Sequence, residues 1–229
     1  MNAATALHGL TLLILALPAL CAAGGISGKI VLSGAQPAPR KLDVTIDQYM
    51  CGTSKDADDL VVSPRREIAN VVVSIENPPP GANWPADTVK TTIDQRGCAF
   101  VPRVVVVRAG GTVDFLNNDR LLHNIHATPK LNVSFNRTQP KDRTIPITFQ
   151  KPEIVRIDCD LHSWMRAWVV VAGHPYYRVT QGDGAFAFDN LPPGRYRLQI
   201  WHERLGTVMR EVTVPDTGNA ALSVELKAQ

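Results

Sequence analysis

The chain has 229 residues, enough for one large domain or two small ones with real cores, and 24 Lys+Arg against 21 Asp+Glu leave a formal charge of +3. The charge is uneven: residues 90–172 carry +5, residues 24–89 carry −2, and residues 173–229 balance. No dense Lys/Arg run is interleaved with aromatics, which excludes a nucleic-acid-binding role, and the basic middle implies only a weak pull on an acidic partner surface.

Residues 1–23 hold no Lys, Arg, Asp or Glu, and the apolar run Leu10 to Leu20 ends in CAAGG. This reads as a secretory signal cut near Ala23, although a charged leading region is missing. The run is short for a membrane span, and the bulky Leu20 before Cys21 argues against a lipoprotein signal. No second run of spanning length follows, so the expectation is a soluble mature chain, periplasmic or secreted, without a transmembrane anchor. Export leaves Cys51, Cys98 and Cys159, an odd number. The simplest account is one disulfide, assigned to Cys51 and Cys98, and one reserved thiolate at Cys159; the sequence alone leaves other pairings open.

Period-two alternation is frequent and helical stripes are few, which predicts an all-β protein. GISGKIVLSG (25–34) reads as a strand with Ile26, Gly28, Ile30 and Leu32 on one side, and Val71 to Ile75 as another. Pro78, Pro79, Pro80 and Pro85 then mark a boundary, because proline cannot donate to a ladder. FVPRVVVVRAGGTVDFLNND predicts two strands joined at Ala109-Gly110-Gly111. Residues 128–146 are polar and contain prolines, predicting a long loop with at most one short strand; the tripeptides at Asn132 and Asn136 are glycosylation sequons only in pattern. Phe149 to Val171 predicts two strands flanking CDLHSWM.

GDGAFAFDNLPPGRYRLQIW (182–201) reads as a hairpin-rich run, with Phe186 and Phe188 alternating inward before Pro192-Pro193-Gly194 and Tyr196, Leu198 and Ile200 after it. That run resembles the carboxypeptidase-regulatory-like, transthyretin-like β-sandwich, an Ig-like fold whose opening strand and KLDVTI-like stretch appear at residues 25–46. The resemblance implies a discontinuous sandwich of residues 24–89 and 173–229, with residues 90–172 inserted as a second domain; a bead-like order is the alternative.

Strand parity decides which side chains converge. Cys159 shares a side with Val155 and Ile157, Met165 with Ala167, Val169 and Val171, and His123 with Ile125, whereas His126 goes with Asn124. His162 lies on the loop between. Two imidazoles, a thiolate and a thioether are the donor set of a blue-copper electron-transfer centre, while zinc prefers a carboxylate, water or second thiolate to Met165.

C-x2-H-x2-M, preceded by HNIH after N-x-D, resembles the cupredoxins, particularly the amicyanin-like and plastocyanin-like members, over about residues 90–172. The resemblance implies a Greek-key β-barrel, one copper ion held by His123, Cys159, His162 and Met165, and an Asn124 that ties the first-ligand segment to the cysteine loop. It implies electron exchange with a redox protein partner, with the edge of His162 as the port where that edge is exposed. Leu161 stands where the amicyanin loop has proline, so the potential and the packing of His162 do not carry over.

The reading is therefore an exported one-electron carrier that is not an enzyme. The alternatives are a carbohydrate- or partner-binding sandwich, using Trp84, Trp168, Trp201, Tyr176 and Tyr177, with a structural metal site, or a copper enzyme or chaperone. His126, His174 and His202 are secondary candidates for a thiol-free metal site, formed where the terminal sandwich covers His162. Met50 and Met209 are filler.

Overall fold

The computed structural model describes residues 24–84 and 90–228, so the signal-peptide reading and Cys21 lie outside the described residues. The chain is all-β: β1 (Gly24–Ser33), β2 (Lys41–Asp43), a one-turn helix α1 (Gln48–Cys51), β3 (Ser54–Asp56), β4 (Val72–Ile75), β5 (Thr91–Gln95), β6 (Phe100–Val101), β7 (Val104–Arg108), β8 (Gly111–Asn117) and β9 (His123–Ala127). There follow β10 (Phe135–Gln139), β11 (Thr144–Phe149), β12 (Glu153–Asp158), β13 (Arg166–Ala172), β14 (Tyr177–Val179), β15 (Ala185–Leu191), β16 (Gly194–His202), β17 (Gly206–Val214) and β18 (Asn219–Lys227). No helix among the described residues is long and apolar enough to cross a membrane.

Four sheets stack in layers. Sheet 1 has the order β11-β8-β5-β6, sheet 2 β10-β9-β12-β13-β7, sheet 3 β14-β4-β16-β17 and sheet 4 β15-β1-β18; β2 and β3 form a separate ribbon. Each gap between layers is filled by the apolar alternation of its strands. Ile93, Phe115, Ile125, Phe149, Ile157 and Val169 fill the core between sheets 1 and 2. Ile26, Ile30, Val73, Phe188, Leu198 and Ile200 fill the one between sheets 3 and 4. A smaller cluster of Val72, Val104 and Val170, with Trp168 and Trp201 at its margin, joins sheets 2 and 3. Sheet 2 is thus apolar on both faces, which is why VRIDC and RAWVVVA read less cleanly as alternation than β1 does.

Two expectations are corrected. Residues 128–146 hold β10 and the start of β11, two strands where at most one is predicted. Both are edge strands, so their polar residues and Pro146 sit where an unpaired side faces outward. The Phe186 and Tyr196 strands do not form a hairpin: Pro192-Pro193 carries the chain from sheet 4 to sheet 3, and β16 pairs with β17 instead. Alternation alone shows that two strands face one core, not that they share a ladder.

Residues 41–56 leave the layer of β1 and pack at one pole of the sheet 1–sheet 2 sandwich. Val44 and Cys51 join its core, and the Cys51–Cys98 disulfide pins the excursion there.

Candidate metal centre

The centre is built at the ends of β9 and β12. On β9, His123 and Ile125 are fully buried, while His126 turns to the outer face. Cys159 continues the inward parity of Val155 and Ile157 and is 2% exposed. The loop after it closes on itself: Met165 N–H donates to the His162 carbonyl at 2.8 Å and Cys159 N–H to the Met165 carbonyl at 3.3 Å. This fold-back carries the His162 ring over the thiol.

His123 Nδ1 and His162 Nδ1 lie 2.9 Å apart, and Cys159 Sγ lies 3.6 Å from the latter and 4.0 Å from the former. One ion can reach three donors only when no pair is farther apart than the sum of its bonds, about 4.1 Å for two imidazole nitrogens and about 4.3 Å for nitrogen and thiolate. All three sides of the triangle fall inside those limits. Among the described residues, this is the one group of three His, Cys, Asp or Glu side chains gathered closely enough to hold a metal ion.

Carboxylates fix the far side of each ring. Asp119 Oδ2 lies 2.9 Å from His123 Nε2, and Asp47 Oδ2 lies 3.1 Å from His162 Nε2. When both Nε2–H groups donate outward, both Nδ1 lone pairs point at each other, an arrangement relieved by a proton or a metal ion between them. Burial pushes His123 below its ordinary value despite Asp119, and pushes the Cys159 thiol up despite backbone N–H groups aimed at its sulfur. An imidazole biased towards its neutral form and a thiolate that needs a positive neighbour suit a soft metal ion.

Asp47 and Asp119 are absent from the sequence reading. Asp119 had a local signal, standing four residues before His123; it also accepts from Gly97 N–H at 2.6 Å and Cys98 N–H at 2.8 Å, which ties the disulfide turn to the ligand ring. Asp47 had none, being 115 residues from its imidazole. It caps α1 from the left-handed region, at φ 55°, with its carboxylate committed to His162 and not to the helix.

Met165 is buried in the same core, and Trp164 packs edge-on to His162 at 5.2 Å while donating from Nε1 to the Cys98 carbonyl at 3.0 Å. Asn124 Oδ1 accepts from Asp160 N–H at 2.7 Å, joining β9 to the cysteine loop; Leu161 is partly exposed. The His162 ring is fully buried, so its edge is not an open port, and its cover is the 41–56 excursion and not the terminal sandwich.

The secondary set is not brought together. His126 Nδ1 pairs with Asp160 at 2.8 Å on the outer face, His174 packs on Tyr177 at 4.8 Å, and His202 is buried with Nδ1 accepting from Arg204 N–H at 3.2 Å. Parity separates His126 from the centre, His174 lies between β13 of sheet 2 and β14 of sheet 3, and His202 ends β16 of sheet 3. Trp168 and Trp201 pack edge-on at 5.1 Å inside the interface between sheets 2 and 3, so they do not supply an open stacking surface.

No family model and no curated protein matches the chain. Among solved structures it is similar to a Cu-containing nitrite reductase from Thermus scotoductus SA-01, at 21% identity and TM-score 0.35, over 42% of this chain and 25% of that one. It is also similar to a purple cupredoxin from Nitrosopumilus maritimus (19%, TM-score 0.32, 36% of this chain and 100% of that one) and to amicyanin from Paracoccus versutus (25%, TM-score 0.34, 44% and 97%). The chain spans about a quarter of the length of the nitrite reductase. The expectation that this protein is not an enzyme is corrected here: a reductase stands among the similar structures, so the likeness gives no ground for setting catalysis aside.

Proposed function

We propose that this chain is an exported type 1 copper protein that passes single electrons between redox partners, with one copper ion held by His123, Cys159, His162 and Met165. The observation that carries the reading is the buried triangle of two Nδ1 atoms and one thiol sulfur, 2.9 to 4.0 Å on a side, with each imidazole oriented from behind by a carboxylate. Copper, when bound, supplies the one-electron chemistry.

The chain's own residues prepare for it. Asp119 and Asp47 hold the Nε2 protons so that Nδ1 stays free, Asn124 fixes the cysteine loop, and the core around Cys159 and Met165 excludes water. The centre is held by two strand ends, a disulfide turn and a packed loop, which supports a site that rearranges little between oxidation states. We further propose the discontinuous organisation, with a carboxypeptidase-regulatory-like sandwich from both ends of the chain flanking the copper sandwich.

Cu(II) titration of the mature chain tests the reading. An intense thiolate-to-copper absorption is expected in the wild type and lost in Cys159→Ser; a colourless loaded wild type sinks it.

A further inference from the structure

The fold buries every donor of the centre, but covers one side more thickly than another. His162, fully buried, is sealed by Asp47 and the disulfide-pinned excursion, and His123 is fully buried as well. Cys159, 2% exposed and with its thiol turned inward, is alone of the three in bordering a cleft that opens to solvent, a hollow of about 400 Å³ on the outer face of sheet 2. The cleft stands where that face runs past its contact with sheet 3: Arg156 is opposite Trp168 in the ladder, and Asp158 opposite Arg166, one step nearer the centre.

The hydrogen-bonding groups of this cleft are lopsided. Asp158 receives Arg156 Nε at 2.6 Å and Arg166 Nε at 2.9 Å, one carboxylate shared by two guanidinium groups. Asp160 is also spent, accepting from Asn124 and Asn136 and pairing with His126. Formal charges cancel, Arg156 and Arg166 against Asp158 and Asp160, yet the acceptors are used. The Nη groups of Arg156 and Arg166 make no hydrogen bond to the described residues, and Ser163 adds a hydroxyl at the rim. Guanidinium forks with open Nη groups suit a carboxylate, and the surrounding segment, residues 90–172, carries +5.

We infer that the electron-exchange face of this protein is the Arg156–Arg166 cleft beside Cys159, that the His162 edge is not that face, and that its occupant is a carboxylate side chain of an acidic redox protein. The inference rests on the copper reading.

Ferricyanide serves as the anionic probe and tris(phenanthroline)cobalt(III) as the cationic one. One electron leaves the reduced protein, and ferricyanide becomes ferrocyanide or Co(III) becomes Co(II). At low ionic strength the double variant Arg156→Gln/Arg166→Gln is expected to lose about ten-fold in rate with ferricyanide, and none with the cobalt complex, with its absorption spectrum intact. Tyr49→Ser/Met50→Ser, on the exposed face of the excursion, is expected to leave both rates unchanged. Poly-L-glutamate is expected to slow the ferricyanide reaction of the wild type and not of the arginine variant.

An intact spectrum with an unchanged ferricyanide rate in the arginine variant overturns the inference and leaves the copper reading standing. So does a loss that follows the Tyr49/Met50 variant, or inhibition by inorganic phosphate equal to that by polyglutamate. Absence of the thiolate-to-copper band before any probe is added overturns both.

Discussion

Asp119 shows how much one side chain can organise: its carboxylate orients His123 and receives the N–H groups of Gly97 and Cys98. Asp119→Asn keeps the size and removes the charge, and is expected to weaken copper binding about 10- to 100-fold, read by competition with a chelator. His202 is a residue of a different kind. Burial, aided by Arg103, pushes it down to about 4 from 6.5, against the pull of Glu203 and Asp59. Because the folded value is depressed, the unfolded chain binds this proton more readily between those two values. His202 therefore costs nothing above about pH 6.5, and stability falls by roughly 3 kcal/mol as pH drops from 6.5 to 4. His202→Asn retains an acceptor for Arg204 N–H, and its urea midpoint is expected to fall less steeply with acid than that of the wild type.

Among the elements, the 41–56 excursion departs most from a plain sandwich. It contributes Val44 and Cys51 to the core and Asp47 to the centre, yet α1 is a single turn and β2 and β3 are three residues each. So short a piece does not hold its place by local propensity; the disulfide to Cys98 across 47 residues does. Cys51→Ala/Cys98→Ala is expected to lose about 4 kcal/mol of stability in urea, from the restored entropy of the unfolded chain. The same variant should exchange copper faster, since Asp47 is then tethered only through the ribbon. The cysteine count pointed to one disulfide and one spare thiol and left the pairing open; the structure pairs Cys51 with Cys98, as assigned. The position of Asp47 was not, because nothing local to residues 41–56 says which surface they cover.

Across the whole molecule, a small apolar cluster and a buried ion pair join the two sandwiches, beside the disulfide-pinned excursion. Arg103, 7% exposed, is gripped by Glu203 through both Nε and Nη2, the latter at 2.8 Å, and also meets Asp58. Removing one partner strands a charge where water does not reach it. Glu203→Ala is expected to cost about 3 kcal/mol, near the low end for a broken buried pair because Asp58 persists, as measured by thermal or urea unfolding. A double-mutant cycle with Arg103→Met isolates the pair from the packing around it.

What the chain determined by itself was what period two and residue chemistry can carry: an all-β class, the inward parity of Cys159 and His123, and a set of soft donors whose order along the chain resembles the cupredoxins. These are local properties, readable wherever side chains alternate. Tertiary structure alone decided which strands share a ladder, that β15 and β16 face each other across a core, that Asp47 closes His162, and that Cys159 borders the open cleft. Each of these depends on where distant segments meet, and no spacing along the chain encodes the distance between residues 47 and 162.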